Sequence, residues 1–272
     1  MFESLPEDLA AGLAASAVRL GPFANVLFAD EVDSTNDQAL ALAAAGHPEG
    51  TSVLADLQRA GRGRRGRAWF SPPAAGLYLS IIVRPAMDGA ALPLVTIATG
   101  VAVAEAVVGS TGLPVELKWP NDLVIGRPWR KLAGVLAEAV TTSARIDAVV
   151  IGIGVNLTPA SYPREIAHRA TSIEGELGHP VERAAVLVAV LERMRGIMAA
   201  VHAADRAAIC EAWRRFGGAS LARQPVRWHD ASGERRGMAR DIDADGALVV
   251  ESAGRLERVI AGDVTWEALA RE

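Results

Sequence analysis

The change of pattern at Gly217-Gly218 constrains how this chain can fold more than any other feature. Before it, β-branched runs of strand length alternate with alanine-rich stretches of helical length. After it come only short strand-like runs separated by turn signals. The first pattern requires a sheet with helices packed on it, and the second a small sheet closed on itself. We therefore expect an α+β protein with a mixed central β-sheet flanked by helices over residues 1–217. A small β-barrel is expected over residues 218–272.

In the first part, strands are expected over Phe23–Val32, Thr51–Leu57, Gly76–Val83, Val115–Trp119 and Leu123–Ile125. Ala148–Leu157 is too rich in β-branched residues for an easy helix and reads as a strand. Helices are expected over Pro6–Leu20, from Ser34 to Ala45, and over Leu92–Val108, Arg164–Leu177, Val181–Ala203 and Asp205–Phe216. Ser34 with Asp37 resembles a capping box, and Gly46 is a stop signal. Lys131–Val140 stays open, because its alanines favour a helix while its length and neighbours allow a strand. Beyond Gly217-Gly218, strands are expected over Pro225–His229, Gly237–Ile242, Ala247–Glu251 and Leu256–Ile260, with turns at Asp245-Gly246 and Ala253-Gly254.

Composition narrows the function classes. The chain is 50% hydrophobic and 22% charged, enough to bury a core without cross-links. Its net charge of −4 provides no global attraction to nucleic acid or anionic membrane, so anion binding has to come from local clusters. With Cys210 the sole cysteine, an intrachain disulfide and a cysteine zinc site are both excluded. The histidines show no metal-ligand spacing, so no protein-bound metal is expected. The N-terminus is acidic where a signal peptide is basic, and no apolar run approaches membrane-spanning length. A cytoplasmic protein with no membrane or nucleic-acid partner is expected.

The densest cluster is Gln58-Arg59-Ala60-Gly61-Arg62-Gly63-Arg64-Arg65-Gly66-Arg67-Ala68-Trp69. Glycines let the backbone turn tightly and present its N–H groups, and arginines offer planar forks that suit phosphate and carboxylate. By composition it is a solvated basic loop, a nucleic-acid contact, or a loop that folds over a phosphorylated ligand. Its place between two strands of a folded domain favours the last. Such a loop repels itself when empty and should be mobile until an anion arrives. Three further elements are weak alone. Lys118-Trp119-Pro120-Asn121-Asp122 is a rigid turn flanked by a lysine and an aspartate. Lys131-Leu132-Ala133-Gly134-Val135-Leu136 is a strand led by a lysine, with Glu138 just after. Gly152-Ile153-Gly154-Val155-Asn156 lacks the third glycine and following helix of a dinucleotide fingerprint.

In this order, and preceded by Ser34-Thr35-Asn36, these elements resemble the catalytic domain of biotin–protein ligases over Asp30–Thr158. The resemblance implies the biotin/lipoate ligase fold, which is similar to class II aminoacyl-tRNA synthetases, with an SH3-like C-terminal barrel. It also implies activation of biotin by ATP to biotinoyl-5'-AMP, then transfer to a lysine of a biotin carboxyl carrier domain of an acyl-CoA carboxylase. By resemblance, Ser34, Thr35, Asn36 and Gln58 contact biotin, and Arg62, Gly63 and Arg64 close over biotin and its adenylate. Arg67 and Trp69 lie near the nucleotide, Lys131 contacts the reacting carboxylate and phosphate, and Asn156 reads adenine. Lys118 and Asp122 are implicated in nucleotide handling and in activating the acceptor lysine.

The chemistry requires such groups. A carboxylate must attack a phosphate while both are anionic, so Lys118, Lys131, Arg62 and Arg64, with Mg²⁺ on the phosphates, are expected to stabilise the transition-state charge. A loop that excludes water also protects the mixed anhydride. Some family members carry an N-terminal DNA-binding domain and repress transcription. Too few residues precede Ser34 for that domain, so ligase activity without repression is expected. A lipoate ligase is the nearest rival, but the full arginine–glycine loop and the C-terminal barrel favour biotin. A nucleic-acid-binding module and a catalytically silent sensor of biotin or its adenylate also stay open. So does the oligomeric state, between a monomer and a homodimer through a sheet edge.

Overall fold

The computed structural model describes residues 2–86, 92–142, 145–221, 224–230, 233–260 and 264–267. In chain order, α1 (Glu7–Leu20) precedes β1 (Val26–Val32), α2 (Thr35–Ala44), β2 (Ser52–Gln58) and β3 (Gly76–Val83). Next come α3 (Leu92–Thr111), β4 (Glu116–Lys118), β5 (Asp122–Ile125), β6 (Arg130–Thr142) and β7 (Arg145–Asn156). The helices α4 (Ile173–Leu177), α5 (Arg183–His202) and α6 (Arg206–Leu221) lead to β8 (Pro225–Asp230), β9 (Gly233–Ile242), β10 (Leu248–Ser252), β11 (Arg255–Val259) and β12 (Thr265–Trp266).

Seven strands form one mixed sheet in the order β1-β2-β3-β7-β6-β5-β4. The β1–β2 pair is parallel, with α2 as its crossover, and every other pair is antiparallel. Five further strands form an antiparallel sheet in the order β11-β10-β9-β8-β12. This is the mixed, helix-flanked α+β architecture expected, followed by a separate all-antiparallel C-terminal unit.

The two faces of the large sheet do different work. Leu77, Leu79 and Ile81 of β3 and Ile151, Ile153 and Val155 of β7 join the main core, packed with residues of α1, α3, α5 and α6. The alternate residues Ile82 and Val150 pack under α2 with Ala39 and Ala43. Because β3 is buried on both faces, it reads as a continuous apolar run rather than an alternating one. α3 is long and apolar enough to span a membrane, contrary to the expectation that no run approaches that length. However, 67% of its most apolar window is buried inside the fold, so it is the core helix here.

Several expectations change. Lys131–Val140 is strand: β6 pairs with β7 along its length and with β5 at its start, and ladder bonds on both sides outweigh the alanine preference for helix. Arg164–Leu177 is not one helix but a 3₁₀ turn at Arg164–Ile166 and the short α4. Between them the backbone is diverted to β6, where Lys131 N donates to Arg169 O and Thr171 N to Lys131 O. Phe23 lies in a 3₁₀ turn, so β1 starts only at Val26. Gly217-Gly218 is no break, since α6 runs through it to Leu221. Gly217 is there for packing: a side chain at that position would run into the Trp213 ring.

Candidate active site

Strand alternation builds the floor of the site. Register sets Tyr78 of β3, Gly154 of β7 and Gly134 of β6 in one row, and Ser80, Gly152 and Leu136 in the next. Ile82, Val150 and Glu138 form a third. All point to the α2 side of the sheet, because side chains alternate with a period of two. The two glycines of Gly152-Ile153-Gly154 therefore open the same face. A side chain at Gly152 would collide with the Asn36 amide, and a Cβ at Gly154 would lie 2.5 Å from Cε2 of Trp69. The glycines allow these two side chains to lie directly on the sheet.

A polar network covers the α2 end of this floor. Thr35 N and Oγ1 both donate to Gln58 Oε1, at 2.9 and 3.0 Å. Gln58 Nε2 donates to Ser71 Oγ at 2.9 Å. Ser80 Oγ lies 2.8 Å from Thr35 Oγ1 and donates to Asn36 Oδ1 at 2.5 Å. Asn36 Nδ2 then donates to Glu138 Oε2 at 2.6 Å. Ser34 takes the N-cap position of α2 with an extended backbone but makes no side-chain cap, so the expected capping box does not form.

The arginine–glycine segment is folded back on itself. Trp69 N donates to Gly61 O at 2.8 Å and Gly63 N to Arg67 O at 2.7 Å. At the tip Arg65 has φ of 58°, next to Gly66 at 70°. Acids meet the charge expected to drive this loop apart. Arg62 pairs with Asp37 at 2.6 Å and Glu138 at 3.2 Å, and Arg59 pairs with Glu31. Burial alone would weaken the Arg62 charge, but these carboxylates hold it more firmly protonated. Arg64 Nη1 reaches Asn121 Oδ1 at 3.4 Å, while Arg67 lies exposed at the rim.

The lysines lie at the other end. Lys118 closes β4 directly across from Asp122, which opens β5. Lys131 Nζ pairs with Asp122 Oδ1 at 2.5 Å and lies 5.3 Å from the centre of the Trp69 ring. Lys118 Nζ lies 5.3 Å from the centre of the Trp129 ring. Burial lowers the Lys118 pKa; Asp122 opposes that shift and Lys131 adds to it. Asn156 is buried beneath, with Nδ2 donating to Thr171 O at 2.9 Å and Lys131 O at 3.4 Å. Its amino group thus fixes the backbone that carries Lys131. The Trp69 indole N–H is buried with no hydrogen-bond partner among the described residues.

One cleft of about 1290 Å³ is lined by all of Ser34, Thr35, Asn36, Gln58, Arg62 and Gly63. It is also lined by Arg64, Arg67, Trp69, Lys118, Asp122, Lys131 and Asn156, so every residue given a site role by the resemblance meets here. Its volume slightly exceeds the usual range for small-molecule sites, which fits two ligands side by side. Among the described residues, no three His, Cys, Asp or Glu are placed to hold a metal ion.

Sequence reasoning left Ser80, Glu138, Trp129 and Trp266 without roles. Counting alternate residues along β6 from Gly134 reaches Glu138, so that one had a signal once the strand was known. Ser80 sits unmarked in an apolar run, and the tryptophans come from a turn and from the C-terminal sheet.

Residues 28–156 match the Biotin/lipoate A/B protein ligase family, and residues 224–265 match the Biotin protein ligase C terminal domain. The chain is 31% identical over 246 residues to the bifunctional ligase/repressor BirA of Bacillus spizizenii, covering 88% of this chain and 73% of that protein. It is 35% identical over 249 residues to the biotin–[acetyl-CoA-carboxylase] ligase of Mycobacterium tuberculosis, covering 86% of each. The structure of the Aquifex aeolicus biotin protein ligase in complex with biotin and ATP superposes with a TM-score of 0.71 at 28% identity, covering 89% of this chain and 98% of that one. Two domain matches in the expected order, with relatives aligned over most of their own length, show that the chain belongs to the biotin protein ligase family.

Proposed function

We propose that this protein is an ATP-dependent biotin–protein ligase that makes biotinoyl-5'-AMP and passes biotin to a lysine of a biotin carboxyl carrier domain. The observation that carries this reading is one cleft with a network of hydroxyls and amides, anchored on the Glu138 carboxylate, at one end and two lysines at the other, over a glycine floor. The network suits an uncharged polar ring system such as the ureido group, and the lysines suit phosphate and carboxylate.

In the first step a biotin carboxylate oxygen bonds to the α-phosphorus of ATP as the bond to the bridging oxygen breaks, and pyrophosphate leaves with that electron pair. Lys131 and Lys118 stand where charge builds, and Arg62 and Arg64 approach from the folded-back loop. Magnesium belongs on the nucleotide phosphates, where it would neutralise charge. In the second step the carrier lysine amine attacks the acyl carbon, AMP leaves with the mixed-anhydride oxygen, and the amine loses a proton. Asp122 stands at that end of the cleft and orients the amine or takes its proton, becoming available as Lys131 turns to phosphate. The buried Asn156 amide supports the adenine end, and the Trp69 face packs there.

We place the catalytic unit in the elements up to the end of α6, at Leu221 rather than at the expected Gly217, and the SH3-like unit in the antiparallel strands that follow. We also place the protein in the cytoplasm, with an acyl-CoA carboxylase carrier as partner.

The test mixes the chain with ATP, Mg²⁺ and either biotin or lipoate, with and without a carrier domain. Biotin-dependent pyrophosphate release and carrier labelling are expected. Labelling with lipoate but not biotin overturns the substrate, and salt-sensitive nucleic-acid binding without turnover overturns the enzyme.

A further inference from the structure

One wall of the cleft is aromatic and comes from both parts of the chain. Trp129 lies in the turn between β5 and β6, and Trp266 in β12 of the C-terminal sheet. Their rings meet edge to face, with centres 5.8 Å apart and planes at 81°. Trp266 Nε1 donates to Trp119 O at 3.2 Å, and Trp119 Nε1 donates to Gly246 O at 2.9 Å. The turn bearing Lys118 is therefore bonded to the C-terminal sheet in both directions.

Two cations lie near the Trp129 ring centre, Arg127 Cζ at 4.7 Å and Lys118 Nζ at 5.3 Å. Arg127 is already paired with Glu116 through both oxygens, at 2.7 Å each. Lys118 has no ion pair among the described residues. The groups that face it are the Trp129 ring, Asp122 across the β4–β5 pair, and Lys131 from β6. This differs from Lys131, whose ammonium is paired with Asp122. A carboxylate would hold Lys118 equally well but would cancel its charge. An indole face attracts an ammonium through its quadrupole and carries no net charge, so the lysine stays a full cation with its hydrogen-bond donors free for an anion.

We propose that Trp129, braced by Trp266 of the C-terminal sheet, is the positioning residue that holds the Lys118 ammonium for the nucleotide phosphates. The C-terminal sheet thereby acts on adenylation through two indoles. This rests on the ligase reading above. Burial pulls the Lys118 pKa down, and the ring works against that by favouring the charged form.

The test uses the full chain and biotin-dependent pyrophosphate release, comparing wild type with Trp129→Leu, Trp129→Phe and Trp266→Leu. Trp129→Leu keeps apolar bulk without a π face. It is expected to raise KM for ATP about tenfold while KM for biotin stays within about twofold. The alkaline limb of kcat/KM, where Lys118 loses its proton, is expected to move to lower pH, because the charged form has lost its support. Trp129→Phe restores most of both effects, and Trp266→Leu moves them in the Leu direction by less. Calorimetric ATP affinity should follow the same order in variants whose melting temperature matches wild type.

Unchanged ATP constants and an unmoved alkaline limb in Trp129→Leu overturn the proposal. So does an equal loss in every constant that phenylalanine does not rescue, which marks a purely structural residue. A wild-type chain that releases no pyrophosphate with biotin overturns the ligase reading and this proposal together. An active wild type with an indifferent Trp129 overturns this proposal alone.

Discussion

Asn36 and Glu138, 102 residues apart in the chain, meet directly: the Asn36 amide donates to the Glu138 carboxylate at 2.6 Å. Glu138 can only accept, and the Ser80 hydroxyl donates to the opposite side of the amide, so the Asn36 orientation is set from both ends. The same carboxylate takes Arg62 of the folded-back loop at 3.2 Å. Glu138 thus links the expected biotin end to the loop that covers it.

Removing Glu138 tests that link. Glu138→Ala frees the Asn36 amide to rotate and leaves Arg62 with Asp37 alone. A lost hydrogen bond to a charged group corresponds to about 1.5–3 kcal/mol, so biotin affinity measured by calorimetry is expected to fall about tenfold to a hundredfold. Wild-type affinity in this variant would show that the contact does not organise the site.

Gly154→Ala examines the floor. The new Cβ would lie 2.5 Å from the Trp69 ring, and the ring must move off the sheet. Trp69 stands at the nucleotide end and Asn36 over Gly152, so ATP binding should weaken about tenfold or more while biotin binding changes little. Equal losses for both ligands would mean that the two ends are not separable.

Lys131→Ala addresses the chemistry. Lys131 and Asp122 are both partly exposed, so the pair adds little to stability and the melting temperature should stay close to wild type. Pyrophosphate release is expected to drop by about 10²–10³, the usual effect of removing one preorganised donor to transition-state charge. Undiminished turnover would take Lys131 out of the mechanism.

Acid should weaken the C-terminal sheet through Asp243. Partial burial would raise the pKa of this carboxyl. The Arg258 guanidinium and the backbone N–H groups of Asp245 and Ala247 outweigh that and hold it below the ordinary 3.8. A depressed folded pKa gives stability that is present above the ordinary value and lost as pH falls through the folded one. Denaturant unfolding of wild type and Asp243→Asn should therefore differ most near neutral pH, with the gap closing below about pH 4. A gap independent of pH would show that this carboxylate contributes no charge-linked stability.

Much of the site could be read along the chain because its signals are local. The Gly152-Ile153-Gly154 spacing puts both glycines on one face of any strand. The arginine–glycine run marks itself by composition, but its folded-back state was not expected, because the Glu31, Asp37 and Glu138 carboxylates that meet its charge lie outside it. Lys118 and Asp122 face each other because a tight turn joins two short strands. Ala148–Leu157 and Gly76–Val83 have too many β-branched and aromatic residues for a helix, so their type was decided before any partner was known.

Where local preference was balanced or misleading, distant partners decided. The alanines of Lys131–Val140 became strand because β5 and β7 offered ladders on both sides. The residues after Arg164 gave up a continuous helix because Lys131 takes the backbone bonds of Arg169 and Thr171. Gly217-Gly218 looked like a break, yet the glycine makes room for Trp213 inside α6. The sequence alone determined the type of most strands and the turn chemistry, which depend on residues within a few positions of one another, and the family resemblance, which depends on the order of short motifs along the chain. Only the tertiary structure could seat Asn36 against Glu138 and Lys118 against Trp129, because strand order and register, not chain distance, decide which side chains share a face.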